Sequence, residues 1–393
     1  MHFRTEEIAD RVRAATTAER RAVRDAIGSL ARPRLSGSPG AARVARDLRA
    51  RLEALDYTVR ELPFRFSVWP GRWGVPLGAA LFGLGIATMA RLVYLGAGGA
   101  ALVAAVATVV VIGALGLFYG RAIDALPWGR IESANWLAHR PGARPRFLVV
   151  AHRDSKSQPV STLVRTAAVV AAAASWALLT TLALAAAVDP NWTWTPLTVV
   201  SGGLGLAAAA TLLFARAGND SAGALDNASG LAALLAVAAR ERDHDDVAFL
   251  ITDGEELGLA GARAVRDRLP AMEGAINLDG LDDGGELRVI ERHGWPRRGA
   301  VPHLTSALLA TAAALDVPAR RQDLPIGIMV DQIALAEAGL PCVTLMRGTF
   351  ASLRRVHRPS DSPERLDGSG AAEAAAVVSG ALRLLRDAGP AGG

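Results

Sequence analysis

Three short apolar runs, each closed by polar residues, are the clearest local pattern in the chain. They cover residues 147–151, 247–252 and 275–278. Runs this short, without polar alternation, are typical of strands buried on both faces of a sheet. Further strands alternate with amphipathic helices, which indicates helices flanking a mostly parallel or mixed sheet. We predict strands at residues 57–66, 132–137, 146–151 and 341–346, and helices at residues 5–30, 41–55 and 368–385.

Four longer apolar segments interrupt this alternation. Arg91 separates residues 73–90 from 92–120, and Asp189 separates residues 166–188 from 190–215. A membrane-spanning helix needs about 20 apolar residues, whereas runs of about 10–14 favour a buried core helix. The pattern therefore predicts two transmembrane hairpins with four helices in total.

The composition agrees with membrane insertion. The 393 residues are 51% hydrophobic and 21% charged, with a mean hydropathy of +0.25, which is more apolar than a soluble enzyme usually needs. The net charge of +5 does not indicate nucleic-acid binding, because the arginines are dispersed and no basic patch is interleaved with aromatic residues. Attraction to anionic lipid headgroups, worth about 1 kcal/mol per basic residue near the surface, accounts for the charge better than nucleic acid does. The Ala-rich, Arg-rich and Lys-poor usage is equally consistent with a GC-rich genome.

Basic residues flank the predicted hairpins on one side. An even number of spans keeps the segments before, between and after the hairpins on that same side. The positive-inside bias then places these segments in the cytoplasm, and we expect a bacterial inner-membrane protein. Trp192 and Trp194, in the turn between the last two helices, fit an interfacial aromatic belt. The flanking cations are Arg65, Arg72, Arg121, Arg130, Lys156, Arg165 and Arg216.

The residues that close the three short strands belong to an ordered series of potential metal ligands. Strand ends meet at one edge of an open α/β sheet, so distant residues can converge there. Nitrogen and carboxylate ligands without sulfur suit zinc. Any one of them alone would more often be a solvated loop residue or a helix cap, but the ordered set predicts a metal site. In chain order the series is His152, Asp154, Asp226, Glu255, Glu256, Asp279, His357 and Asp361.

These residues resemble the motifs of the M28 family of zinc peptidases. His152-Arg153-Asp154 is similar to the family's His-x-Asp, Asp226 to Gly230 to its Asp-Asn-Ala-Ser-Gly, and Glu255 to Leu259 to its Glu-Glu-x-Gly-Leu. Asp279 matches its strand-end aspartate, and residues 357–363 match its closing His…Asp segment. Residues 34–40 and 330–341 agree as well, so the resemblance covers nearly all of the chain outside its most apolar segments.

The resemblance implies a three-layer α/β zinc-peptidase fold, helix/mixed sheet/helix, interrupted here by the two hairpins. It implies two zinc ions per chain. One ion would be held by His152 and Asp279 and the other by Glu256 and His357, with Asp226 bridging the pair.

The resemblance also assigns roles to the unligated carboxylates. Glu255 would be the general base that takes a proton from an activated water. Asp154 would orient the imidazole of His152, and Asp361 would act similarly near His357. The implied domains are residues 1–72, 121–165 and 216–393 for the catalytic domain, and residues 73–120 and 166–215 for the hairpins.

Three positions depart from the family pattern. Val356 stands where some aminopeptidases carry a tyrosine that donates a hydrogen bond to the oxyanion. Gln332 replaces a frequent histidine, and Arg153 replaces a frequent aromatic residue. These departures predict an unusual substrate pocket.

Three functions fit these residues. We favour a membrane-anchored dinuclear zinc exopeptidase, an aminopeptidase acting on peptide substrates, because all five ligands are present. The second is a glutaminyl-cyclase-like zinc acyltransferase, since residues 152–156 are similar to that branch; one zinc per chain would indicate it. The third is a non-catalytic membrane scaffold or transport module that retains the fold, and the intact Glu255 argues against it.

Overall fold

The computed structural model describes residues 16–189, 195–265, 267–325 and 327–389. The chain divides into two compact units. The α/β unit comprises Met1–Phe66, Ile131–Ser157 and Asn219–Gly393, and the helical unit comprises Ser67–Arg130 and Gln158–Gly218.

Within these described ranges the chain forms eight strands and twelve α-helices. The strands are β1 (Thr58–Ser67), β2 (Arg130–His139), β3 (Phe147–His152), β4 (Val247–Thr252), β5 (Gly274–Leu281), β6 (Leu287–Ile290), β7 (Ala319–Gln322) and β8 (Cys342–Arg347). The helices are α1 (Thr16–Leu30), α2 (Pro39–Glu53), α3 (Trp69–Tyr94), α4 (Gly98–Ala125), α5 (Thr162–Val188), α6 (Thr195–Leu213), α7 (Ser229–Arg240), α8 (Ala260–Ala264), α9 (Pro302–Ala314), α10 (Asp331–Glu337), α11 (Phe350–Arg355) and α12 (Ser369–Asp387).

The eight strands form one mixed sheet in the order β1-β2-β4-β3-β5-β8-β6-β7. Strands β4, β3, β5 and β8 are mutually parallel, and β2 and β6 pair antiparallel to them. The register aligns His152 with Thr252 and Val150 with Asn277, so the carboxyl ends of β3, β4 and β5 lie side by side. The predicted strands are confirmed to within a few residues, and residues 5–15 of the first predicted helix lie outside the described ranges.

Helices cover both faces of this sheet. In β4, Phe249 packs into a core formed with α1, α2, α7, α9 and α12, while the next residue, Leu250, packs into a second core with α8 and α10. Because both faces are buried, the central strands carry apolar residues at every position rather than at alternate ones. The predicted three-layer α/β architecture is therefore confirmed.

The helical unit consists of α3, α4, α5 and α6. Among the residues that the structure describes, these four helices are long and apolar enough to cross a membrane. Small residues let the helices approach closely: a Cβ on Gly83 would lie 3.1 Å from Ala209, and one on Gly202 would lie 2.9 Å from Ala90. Close contact through glycine and alanine is the usual packing of helices in lipid.

The first hairpin turns a few residues beyond Arg91, which separated the two predicted segments and was expected near the far end of the first helix. Helix α3 continues through Arg91 to Tyr94, and the turn lies at residues 95–97. Gly96 has a φ of 71°, a left-handed conformation that ends helices and that glycine adopts without a side-chain penalty. The charge at Arg91 is tolerated in the last helical turn, so glycine rather than arginine determines where the helix ends. Trp192 and Trp194 lie outside the described residues.

Candidate metal centre

The sheet brings the five predicted ligands together at the carboxyl ends of its central strands. His152 ends β3, Glu256 follows β4, and Asp279 lies near the end of β5. The His152 Nε2 atom lies 3.1 Å from Asp226 Oδ1 and 3.7 Å from Asp279 Oδ1. The His357 Nε2 atom lies 3.0 Å from Asp226 Oδ2 and 3.2 Å from Glu256 Oε2.

Asp226 belongs to both halves of this cluster. One of its carboxylate oxygens faces His152 and the other faces His357. The donor atoms of His152, Asp226 and Asp279 lie within 4.8 Å of one another, as do those of Asp226, Glu256 and His357. Each trio could hold a metal ion, and the nitrogen and oxygen donors suit zinc.

The surroundings of His152 fit a bound cation. The residue is 1% exposed, yet its Nε2 atom makes no hydrogen bond within the described chain. A buried imidazole nitrogen aimed between two carboxylates, without hydrogen-bond geometry to either, is what a metal ligand requires.

The segment Asp226-Asn-Ala-Ser-Gly230 is fixed by side chains of its own sequence. The Asn227 Nδ2 atom donates to the Leu278 carbonyl at 2.8 Å, and Asn227 Oδ1 accepts from the Gly230 and Gly280 amides. Ser229 Oγ donates to the Leu225 carbonyl and accepts from the Leu281 amide. A Cβ at position 230 would lie 2.2 Å from Asn227 Oδ1, so only glycine fits there. These contacts join Asp226 to the end of β5, beside Asp279.

Asp154 faces His152 within the cluster, and its role in orienting that imidazole stays a prediction. Its carboxylate is 3.5 Å from His152 Nδ1, and its backbone carbonyl is 3.2 Å from the same nitrogen. The two carboxylate oxygens also accept the backbone amides of Glu255 and Glu256 at 3.2 and 3.1 Å. Asp154 therefore holds the β3 end and the loop after β4 in one arrangement.

Asp361 does not contact His357, contrary to the prediction. Its carboxylate accepts hydrogen bonds from the Leu225 amide at 2.7 Å and the Asp226 amide at 3.2 Å. The His357 Nδ1 atom is buried and has no hydrogen-bond partner in the described ranges. Two adjacent amides offer the carboxylate more hydrogen bonds than one imidazole nitrogen does, so Asp361 positions Asp226 instead.

The carboxyl groups of the cluster have pKa values far from their ordinary values. Burial opposes ionisation of Asp226, but its contacts with His152 and His357 hold the pKa of its carboxyl well below the usual range. Glu255 is 8% exposed, and burial raises the pKa of its carboxyl well above the ordinary value; His152 opposes the rise and Glu256 adds to it. The carboxyl pKa values of Asp226 and Glu255 are thus displaced in opposite directions, and perturbed pKa values of this kind are common at active sites.

Two features of the site were not anticipated from sequence. The Lys156 Nζ atom lies 2.7 Å from Glu256 Oε2, the same oxygen that faces His357. The only sequence signal for Lys156 was its place in the segment 152–156, which is similar to glutaminyl cyclases. Arg34 is fully buried beneath the loops that carry the ligands, and its position in the segment 34–40 was the only hint.

Arg153 and Gln332 were predicted to alter the substrate pocket, and both are buried. The Arg153 guanidinium is 3.2 Å from the Asp253 carboxylate and stacks over Trp136. Gln332 donates to the Glu291 carbonyl at 2.8 Å. Both side chains have structural partners within the fold, which accounts for their polar character without a substrate.

Comparison with known proteins agrees with these observations. The model of Peptidase family M28 matches residues 207–382. Among solved structures, a glutaminyl cyclase from Fimbriiglobus ruber is similar with a TM-score of 0.54 and 18% identity, covering 93% of this chain and 95% of that one. An aminopeptidase from Aneurinibacillus sp. strain AM-1 has a TM-score of 0.53 at 14% identity, with 92% and 93% covered.

A third similar structure is BSAP, a zinc aminopeptidase from Bacillus subtilis, with a TM-score of 0.54, 15% identity, and 93% and 94% of the two chains covered. No curated protein matches this chain. At these identities the solved structures establish the shared fold, and the family model covers the part of the chain that carries Asp226, Glu255, Glu256, Asp279 and His357. Residues 207–382 are therefore similar to peptidase family M28, and the whole α/β unit shares its fold with the aminopeptidases and the glutaminyl cyclase.

Proposed function

We propose that this protein is a membrane-anchored dinuclear zinc exopeptidase, an aminopeptidase in which Glu255 is the general base. The observation that carries the proposal is the position of Asp226, whose two carboxylate oxygens face two different imidazoles at 3.1 and 3.0 Å. A carboxylate placed in this way can bridge two cations. The family match and the fold shared with aminopeptidases support the same conclusion.

Each part of the site has a task in peptide hydrolysis. Two bound zinc ions would supply Lewis acidity to a scissile carbonyl and lower the pKa of water. Glu255 would accept the proton of the attacking water and pass it to the leaving amine. Its buried position suits this exchange, because a raised carboxyl pKa brings a general base closer to neutral pH. Asp154 would hold the His152 imidazole and the Glu255 backbone in fixed positions relative to each other.

The helical unit supports insertion in a lipid bilayer. Its outer surface is apolar, with Val103, Val106 and Val110 at 70%, 64% and 61% exposure. Such side chains would be costly in water and are expected to face acyl chains.

One end of the helical unit has the composition of a membrane interface. The start of α3 meets the end of α4 there, since a Cβ on Gly74 would lie 3.1 Å from the Tyr119 ring. Three partly exposed tryptophans mark this end, as in an interfacial aromatic belt. We propose that this end faces the cytoplasm, because its arginines agree with the positive-inside bias. The tryptophans are Trp69, Trp73 and Trp128, and the arginines are Arg72, Arg121, Arg130, Arg165 and Arg216.

A glutaminyl-cyclase-like reaction is the second candidate. Two observations favour it: Lys156 bonds to Glu256, as part of the string similar to that branch, and a glutaminyl cyclase shares the fold. A single zinc per chain and cyclisation of N-terminal glutamine would select this candidate over the first.

Two assays test the proposal in detergent-solubilised, zinc-loaded protein. Peptides with a free amino terminus should be hydrolysed, and the same peptides with an acetylated amino terminus should not. Glu255→Ala should lower turnover ~10²–10⁴-fold, the usual cost of losing a general base, while zinc content stays nearly unchanged. Glu286→Ala, which removes an exposed glutamate paired with Arg320, is the matched control. Parental turnover in the Glu255 variant would contradict the assignment.

A further inference from the structure

Arg34 is a buried cation whose guanidinium donates to backbone carbonyls of two separate loops and, at 3.2 Å, to the Arg32 carbonyl of its own segment. It is 0% exposed. Its Nε atom donates to the Arg153 carbonyl at 2.7 Å, in the loop between His152 and Asp154. Its Nη1 and Nη2 atoms donate to the Ala222 and Gly223 carbonyls at 2.5 and 2.9 Å, in the segment that leads to Asp226. One guanidinium therefore joins the loop after β3 to the approach to the bridging carboxylate.

The backbone around Arg34 strengthens this connection. The Arg34 amide donates to Ser155 Oγ at 3.2 Å, and the Arg34 carbonyl accepts from the Ser155 amide at 3.4 Å. Gly223 allows the close approach: its φ is 57°, and a Cβ there would lie 3.0 Å from Arg34 Nη1 and 2.4 Å from the Asp226 carbonyl. A side chain at position 223 would displace the guanidinium or the turn.

Asp361 holds the same segment through its amides. The Asp361 carboxylate accepts the Leu225 and Asp226 amides, and its carbonyl accepts the Ala224 amide at 3.3 Å. Every residue from 222 to 226 is thus bonded to either Arg34 or Asp361. Arg34 takes the carbonyls at the start of the segment, and Asp361 takes the amides at its end.

The surrounding carboxylates explain how an arginine can be buried at this position. A buried guanidinium is costly unless opposite charge lies nearby. The carboxylates of Asp361, Asp226, Asp154 and Glu256 all stabilise the Arg34 cation electrostatically. Burial still lowers the pKa of Arg34, but these carboxylates offset part of that cost, and the guanidinium donors are used on carbonyls rather than on a carboxylate.

We propose that Arg34 and Asp361 are positioning residues that clamp residues 222–226, and so fix the two oxygens of Asp226 between His152 and His357. This inference rests on the metal centre of the proposed function. By this inference the linker between α1 and α2 supports the metal centre through Arg34, although the linker contributes no metal ligand. Loosening the clamp should weaken zinc binding and expose the amides of residues 224–226 to exchange.

Full-length variants in detergent test the clamp with two readouts. The first is zinc affinity, measured by competition with a chromogenic chelator, and the second is hydrogen exchange of residues 222–226. Arg34→Met should lower zinc affinity ~10–100-fold, the usual cost of losing a residue that orients metal ligands, and should accelerate exchange. Arg34→Lys should have nearly the same low zinc affinity and fast exchange as Arg34→Met, because one ammonium group cannot reach the carbonyls of both loops.

Arg146→Met is the matched control. It removes a second arginine of the α/β unit, whose partner is the Glu273 carboxylate at 2.6 Å, and should change neither zinc affinity nor exchange at 222–226. If Arg34→Met does not fold, Arg34→Lys and Asp361→Asn carry the test with the same expected changes. Parental zinc affinity and parental exchange in the Arg34 and Asp361 variants would overturn the clamp. A parent protein that binds no zinc would overturn the proposed function instead, and exchange at 222–226 would still decide the clamp.

Discussion

At the scale of single residues, the candidate centre depends on carboxylates that each face more than one neighbour. Asp226 offers one oxygen to each imidazole, and its own amide is taken by Asp361. Asp154 accepts two amides of the Glu255–Glu256 loop while facing His152. Through these contacts the amides of the Glu255–Glu256 loop and of Asp226 help to fix the positions of the candidate ligands.

The buried carboxyl of Asp331 predicts a pH dependence of stability in metal-free protein. Burial is the main cause that raises its pKa from 3.8 to about 7; His152 opposes the rise, and Asp154 and Asp279 add to it. A folded-state pKa above the unfolded value means that the folded protein holds a proton which the unfolded chain has released. Stability from this group is complete below the unfolded pKa and is lost as pH rises through the folded one.

Chelator-treated protein should therefore unfold at a lower temperature at pH 8 than at pH 5, and Asp331→Asn should reduce this difference. Thermal unfolding at both pH values measures it. Asp323→Asn is the control, because Asp323 is a surface partner of Arg292 with a lowered carboxyl pKa. If Asp331→Asn shows the same difference in unfolding temperature between pH 5 and pH 8 as the parent, the buried Asp331 carboxyl is not the cause of that difference.

The convergence of the five candidate ligands could be predicted from sequence because each follows or belongs to a recognisable strand or motif. Arg34 and Asp361 could not be assigned in the same way. A buried arginine looks like any surface arginine in sequence, and the partners of Asp361 are amides, which carry no sequence signal. Arg153 was singled out because it replaces a frequent aromatic residue, and its partner Asp253, inside the fold, could not be identified from the sequence.

At the scale of elements, glycine positions in the helical unit give a sharp test of helix packing. A Cβ on Gly98 would lie 2.2 Å from the Ala187 amide nitrogen and 2.5 Å from the Ala183 carbonyl oxygen, both in the backbone of α5. Gly98→Ala should therefore push α4 from α5 and lower the free energy of unfolding by about 1–3 kcal/mol.

The neighbouring glycine is the control. A Cβ on Gly99 would meet no atom within 4 Å, so Gly99→Ala should be neutral or slightly stabilising. Thermal unfolding in detergent compares the two variants. Equal stability of Gly98→Ala and Gly99→Ala would show that α4 and α5 do not pack as described.

Elements were predictable to different degrees. The buried strands β3, β4 and β5 match their apolar runs because burial on both faces leaves no polar position inside them. The start of α4 was less predictable. A long side chain such as Arg91 can remain in the last turn of an apolar helix by extending toward the interface, so charge is a weaker signal of a helix end than glycine.

At the scale of the whole molecule, the topology predicts which side of the membrane each segment faces. Alkaline phosphatase inserted in the turn at residues 95–97 should be active, since the enzyme folds only in an oxidising compartment. Green fluorescent protein fused after Gly393 should fluoresce, and alkaline phosphatase at that position should be inactive. Active phosphatase after Gly393 would reverse the orientation. Release of the chain by alkaline carbonate washing would contradict insertion itself.

The pairing of two metal ions around Asp226 is the central claim, and anomalous diffraction at the zinc edge tests it most directly. Crystals of zinc-loaded protein should give two adjacent peaks, one in contact with His152 and Asp279 and the other with Glu256 and His357, both touching Asp226. Crystals of Asp226→Asn should lose both peaks or retain them at low occupancy. A single peak in the parent, or peaks away from these five residues, would contradict the account.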